Sequence, residues 1–144
     1  VNWLHWLAYD LTPLPGAERF MSGTPNVAGM IGLGPSLALL EELGVAHIDA
    51  HTMTLSRYAI EQLTALGLEV ITPGDALGPI VTFRSPVEAA ATEQVVQQLA
   101  AERVIVVKHL DAAGVAYIRL SFHGYNVPEE VDRFIAVYKV AARL

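Results

Sequence analysis

The chain has 144 residues, of which 53% are hydrophobic and 17% charged, with a net charge of -6 and no cysteine. This length suits one domain, and the apolar composition excludes disorder and predicts surface that packs on another domain or subunit. The acidic balance excludes a nucleic-acid partner, and the lack of cysteine excludes a disulfide framework and fits a cytoplasmic protein.

The first residues do not have the composition of a targeting segment. Residues 1–14 contain no basic region and no small-residue cleavage site, so a signal peptide is not expected. Residues 27–40 are the most apolar stretch, but they are too few to span a bilayer and include Pro35. We therefore expect no membrane partner, and an irregular lead-in over residues 1–20, where Trp3 and Trp6 are large anchors.

A helix is predicted to start near Thr24, which can cap it, with Pro25 at the first helical position. This helix runs to Glu42 and stops at Gly44. Because it is apolar almost all round and rich in small residues, we expect it to be buried.

The remaining elements alternate between helices and short strands. A second helix is predicted over residues 46–66. Strands follow over residues 68–72 and 79–83, a helix over 87–101, strands over 103–108 and 115–122, and a closing helix over 128–144. For the closing helix, Asn126 with Glu129 fits a capping box, whereas Val127 before Pro128 fits the proline rule. Short strands with helices on one face indicate an α+β fold on a mostly antiparallel sheet.

Gly23 and Thr24 form a candidate anion site at the start of the first helix. Free N–H groups and the helix dipole favour a phosphate there, and the Thr24 hydroxyl adds a donor. The alternative is an ordinary capped helix that binds nothing.

Arg119 is a candidate carboxylate ligand. Its neighbours Ile118 and Leu120 point to one face of the predicted strand, so Arg119 points to the other. An arginine in an apolar strand suits a carboxylate, which it can bind through two parallel hydrogen bonds. The alternative is a structural ion pair with one of the 15 acidic residues.

The histidines and lysines give weaker signals. His47 and His51 have the helical spacing of zinc ligands, but no third ligand is apparent, so a solvated helix face is the simpler interpretation. Lys108 ends an apolar strand and Lys139 lies in the closing helix. Neither has the aromatic, glycine-rich setting of a lysine that holds a cofactor covalently.

Two segments together resemble class V aminotransferases and cysteine desulfurases. Residues 19–29, RFMSGTPNVAG, resemble the family segment RFE-(small)-GTPN-x-x-G. Residues 117–126, YIRLSFHGYN, resemble the family strand xxRxSxHxYNT, and residues 129–134 match the helix that follows it. The resemblance covers essentially the whole chain.

The resemblance implies a fold type I enzyme that uses pyridoxal 5'-phosphate (PLP) and acts on an amino acid. In such enzymes a large domain binds PLP, and a small C-terminal α+β domain packs on it. Residues 1–20 would be a lead-in from the large domain, and residues 21–144 the small domain with its long connecting helix. Gly23 and Thr24 would contact the PLP phosphate across a homodimer, and Arg119 would bind the substrate carboxylate.

The sequence also departs from the family pattern. The Schiff-base lysine and the aspartate facing the pyridine nitrogen belong to a domain upstream of Trp3, so we expect no catalytic residue in this chain and no activity from it alone. Cysteine desulfurases carry their sulfur-accepting cysteine in the loop matching residues 109–114, which here reads HLDAAG. The resemblance therefore favours an aminotransferase, lyase or epimerase. The alternatives are a non-catalytic binding or dimerisation module, and a metal protein using His47 and His51.

Overall fold

A computed structural model of the protein describes residues 12–21 and 23–144. Most of the predicted lead-in, including Trp3 and Trp6, lies outside these residues. The chain divides into two compact units, one ending at Glu42 and one spanning Leu43–Leu144. The predicted division between residues 20 and 21 stays a prediction.

The first unit contains a 3-10 turn, Gly16–Phe20, and the helix α1, Val27–Leu43. Asn26 caps α1, because its Oδ1 accepts the N–H of Gly29 at 3.0 Å. The predicted cap at Thr24 and helix start at Pro25 are therefore wrong: α1 begins at Val27, so Asn26 holds the capping position. The expectation of a buried helix also fails, since no residue of α1 is buried and the described part of its unit offers it no cover.

The second unit is an α+β layer structure, as predicted. Three antiparallel strands lie in the order β1-β3-β2 and are formed by Ile80–Arg84 (β1), Val107–Leu110 (β2) and Ala116–Ser121 (β3). Three helices are formed by Val45–Ala65 (α2), Ala89–Ala101 (α3) and Pro128–Ala142 (α4). Because alternate residues of a strand point to opposite faces, one face of the sheet packs on the helices and the other is left open.

The core lies between the sheet and the three helices. Phe83 from β1 is fully buried, and its ring meets Tyr138 edge-on at 5.4 Å and Phe134 at 6.3 Å between ring centroids. Ile118 of β3 and Leu99 of α3 are also fully buried in the same cluster. Edge-to-face aromatic contacts add to the free energy gained by burying apolar surface, so these rings join β1 firmly to α4.

Two predicted strands are shorter than expected. Residues 68–72 pair with the edge of β1 without forming a regular strand: Val70 bridges to Phe83, and the N–H of Ile71 donates to the Thr82 carbonyl at 2.9 Å, before Pro73 turns the segment away. The strand predicted from residue 103 begins at Val107. Its first residues instead close α3, since the N–H of Val104 returns to the Leu99 carbonyl at 2.9 Å.

The closing helix settles the ambiguous cap in favour of the proline rule. Val127 precedes Pro128, the first residue of α4, and the Glu130 carboxylate accepts the Val127 N–H at 3.1 Å. The capping box of Asn126 with Glu129 is wrong, because Asn126 donates its side-chain amide to Glu130 instead.

Membrane-spanning potential is low in the part of the chain that is described. No single helix there is both long and apolar enough to cross a bilayer. Only α1 and α2 taken together meet both requirements, and they are bent by 73° at the break between them.

Candidate functional site

Arg119 lies in the central strand, on the open face of the sheet. Its neighbours Ile118 and Leu120 are buried in the core, 0% and 6% exposed, which confirms the predicted orientation. Across the sheet, Arg119 is in register with Thr82 of β1 and Val107 of β2. The guanidinium therefore rises from the middle of the open face rather than from its edge.

The Arg119 side chain has unused hydrogen-bonding capacity. Its Nε is buried, and no described residue accepts a hydrogen bond from it. No acidic side chain of the described residues forms an ion pair with Arg119, so the structural alternative has no support there. A buried donor without a partner costs free energy, and a carboxylate is the acceptor that best matches a guanidinium. The site is therefore suited to an incoming carboxylate.

Asp111, the acidic residue in the turn before β3, has other partners. Asp111 accepts the N–H groups of Ala113 and Val115 at 2.9 Å each, and the Tyr117 hydroxyl at 3.2 Å. The Val115 N–H is the main reason that the pKa of Asp111 lies below its usual range, and the other two donors add to the effect. The negative charge of Asp111 therefore stabilises the turn between β2 and β3.

Gly23 and Thr24 lie in the first unit, ahead of α1. Both residues are exposed, and a Cβ added at Gly23 would meet no atom within 4 Å. The structure describes no hydrogen bond of the Thr24 hydroxyl, so the segment has the space and the donors that a phosphate needs. One donor at this helix start is already used, because the Gly29 N–H is bonded to the side chain of Asn26. Arg119 belongs to the other unit.

Neither lysine is placed to hold a cofactor. Lys108 forms an ion pair with Glu93 of α3, and Lys139 is exposed on α4. The location of the covalent lysine upstream of Trp3 stays a prediction.

The two histidines of the metal hypothesis have separate roles. The Nδ1 of His47, in the first turn of α2, lies 3.3 Å from the carbonyl of Leu43, the last residue of α1. The Nε2 of His51 lies 2.8 Å from the carbonyl of Asn126, 75 residues away. Within residues 12–21 and 23–144, no three side chains of metal-binding type come together. The metal hypothesis gains no support, and the contact of His51 is one that sequence spacing could not indicate.

The combination of an open-faced antiparallel sheet, three helices on its other face and a central arginine defines the class of small domain expected from the sequence. A family profile described as "Aminotransferase class-V" matches residues 10–134. The chain belongs to the class V aminotransferase family. Enzymes of this family, including the cysteine desulfurases, depend on PLP when intact.

Relatives and solved structures agree with this assignment. A probable cysteine desulfurase of Halalkalibacterium halodurans is 34% identical over 135 residues, which are 86% of this chain and 32% of the relative. A probable cysteine desulfurase of Pyrococcus abyssi is 32% identical over 139 residues, 90% of this chain and 34% of the relative. The apo structure of a cysteine desulfurase from Thermococcus onnurineus superposes with a TM-score of 0.75 at 26% identity, covering 89% of this chain and 34% of that one. The chain thus spans about a third of the length of these proteins.

Proposed function

We propose that this chain is the part of a PLP-dependent class V enzyme that binds the carboxylate of an amino-acid substrate. The observation that carries this proposal is Arg119, whose buried Nε lacks a hydrogen-bond partner among the described residues on the open face of the sheet. A partly buried guanidinium binds a carboxylate more strongly than an exposed one, because less water competes for the same donors. Arg119 would fix the orientation of the substrate and leave its amino group free to react.

Gly23 and Thr24 would hold the phosphate of the cofactor. Their exposed backbone and the Thr24 hydroxyl supply donors, and the start of α1 supplies a favourable dipole. When bound, PLP would withdraw electrons from the bond that breaks in the amino acid. By the family resemblance this contact would cross a homodimer, so each chain would complete the site of its partner.

Catalysis by this chain alone is not expected. Lys108 is held by Glu93 and Lys139 is exposed, so neither can take the part of the lysine that binds the cofactor covalently. Turnover of amino acids by the purified chain with added PLP would contradict this expectation.

The reaction class follows from the turn between β2 and β3. The relatives described above are called cysteine desulfurases, but this chain has no cysteine in residues 109–114 or elsewhere. Within this chain nothing can accept sulfur as a persulfide. We therefore favour an aminotransferase, lyase or epimerase reaction over desulfuration.

A non-catalytic binding or dimerisation module is the second candidate. It is favoured by the exposed apolar helix α1, where Ile31 is 72% exposed and Met30 64%. Such a module would keep the packing surfaces of the family but would not need the carboxylate site. Substrate binding at Arg119 separates the two candidates.

The test is a titration of the isotope-labelled chain with L-alanine, observed at the Nε–H resonance of Arg119. L-Alaninamide, which lacks the carboxylate, is the matched ligand control. We expect L-alanine to shift this resonance and alaninamide to leave it in place. Arg84→Gln removes a cation from the same sheet face and should not change alanine binding, whereas Arg119→Gln should abolish it. Equal shifts with both ligands would contradict the proposal.

A further inference from the structure

The loop that follows the Arg119 strand is held unusually firmly for an exposed segment. Residues 122–127, here named the Asn126 loop, connect β3 to α4. Phe122 makes the last strand contact, donating its N–H to the Pro79 carbonyl at 2.8 Å. Tyr125, at the tip of the loop, is 79% exposed.

Asn126 closes the loop on itself. Its Oδ1 accepts the N–H of His123 at 2.8 Å, and its own N–H returns to the His123 carbonyl at 3.0 Å. Its Nδ2 donates to Glu130 at 2.9 Å, which joins the loop to the first turn of α4. The local turn and the start of the next helix therefore share one side chain.

His51 joins the same loop to the long helix α2. Because a carbonyl oxygen only accepts hydrogen bonds, the Nε2 of His51 must carry the proton in its 2.8 Å contact with Asn126. His51 is half-buried, and beside it a Cβ on Gly124 would lie 3.4 Å from the Ile48 side chain. The loop thus rests on α2 through one hydrogen bond and one close backbone approach.

These contacts fix the end of the strand that carries Arg119. We infer that His51 is a positioning residue for Arg119: it holds the Asn126 loop, and through it the exit of β3, so that the guanidinium keeps its place on the sheet. This inference rests on the proposed carboxylate site. Positioning of this kind matters because a binding group works only when its supporting contacts hold it in place.

The test compares three variants of the chain. His51→Ala removes the donor, and His51→Gln keeps an N–H group of similar reach. His47→Ala is the matched control, because His47 lies one turn earlier on α2 and is exposed, and because the only side-chain hydrogen bond described for it is with the Leu43 carbonyl. For each variant we would measure amide hydrogen exchange in residues 123–127 and L-alanine binding at the Nε–H of Arg119.

We expect His51→Ala to speed exchange in the Asn126 loop by about tenfold, the equivalent of one lost hydrogen bond. L-Alanine binding should weaken by about threefold or more, as for other residues that act through a binding group. His51→Gln should recover most of both effects, and His47→Ala should show neither.

The outcomes separate this inference from the function on which it rests. If His51→Ala loosens the loop but binds L-alanine as tightly as the wild type, or leaves the loop unchanged, the positioning role is wrong and the carboxylate site stands. If neither the wild type nor His47→Ala binds L-alanine, the carboxylate site itself is wrong and the positioning role is rejected with it. If the His51→Ala chain does not fold, His51→Gln decides the question. The positioning role then requires that hydrogen exchange and L-alanine binding of His51→Gln match those of the wild type.

Discussion

Helix α1 and strand β3 are both rich in large apolar residues, yet they have opposite surroundings. Ile31 of α1 is 72% exposed, whereas Ile118 of β3 is fully buried between the sheet and its helices. The composition of a segment indicates how much apolar surface it can bury. The structure shows which elements cover that surface. For β3 the partner is within its own unit, whereas for α1 the described part of its unit offers none. This fits a chain that spans about a third of the length of its relatives.

The same substitution in both elements should give the largest contrast. Ile118→Ala should lower the free energy of unfolding by about 2–5 kcal/mol, because it leaves a cavity in a closed core. Ile31→Ala should change it by less than about 0.5 kcal/mol, because an exposed side chain loses little on truncation. Chemical denaturation of both variants would measure this, and equal losses would show that α1 is covered after all.

The sequence was sufficient for the second unit because its signals are local. Gly67 follows the last turn of α2 and Pro128 begins α4. Strand alternation was enough to place Arg119 on the face opposite Ile118 and Leu120. The failures have physical causes. Residues 68–72 hydrogen-bond along β1 but form only one bridge and no regular strand, and Asn26 rather than Thr24 caps α1. The contact of His51 with Asn126 depends on tertiary folding, which no spacing encodes.

Because of the turn between β2 and β3, part of the free energy of unfolding should depend on pH in the acid range. The pKa of Asp111 is held below its ordinary value of 3.8, chiefly by the Val115 N–H. A carboxyl with a lowered pKa in the folded state contributes stability above its unfolded pKa, and this is lost as the pH falls through the folded value. We expect Asp111→Asn to flatten the fall in stability as the pH drops below about 4.

Unfolding curves recorded across this pH range would measure the effect of Asp111. Asp75→Asn, in an exposed turn, is the matched control and should leave the acid dependence unchanged. An Asp111→Asn chain with the same acid dependence as the wild type would mean that the turn does not depend on this charge.

A small effect is expected at one polar group inside the core itself. Tyr138 is fully buried, and burial raises its pKa to about 12. The nearby Ser85 hydroxyl offsets a small part of this rise, but its geometry falls outside that of a hydrogen bond, and it receives the Thr92 hydroxyl at 2.7 Å. Tyr138→Phe should therefore change the free energy of unfolding by less than about 1 kcal/mol, since no hydrogen bond of the described residues is lost.

Thermal unfolding of Tyr138→Phe beside the wild type would measure this change. A loss near that of Ile118→Ala would mean that the Tyr138 hydroxyl has a strong partner, such as a buried water. Polar contacts as well as packing would then contribute to the difference in stability loss between buried and exposed substitutions.

The ion pair between Lys108 and Glu93 affects how readily one chain pairs with another at the edge of the sheet. Strand β2 lies at the edge of the sheet, where unpaired backbone groups can recruit a strand from another chain. Lys108 is in register with the buried Ile118, so its charge points toward the helical side of the sheet rather than along the open face. A strand added from outside would have to accommodate this charge beside its own apolar side chains. The charge of Lys108 therefore disfavours edge-to-edge pairing of β2, whose apolar residues Val107 and Leu110 are exposed.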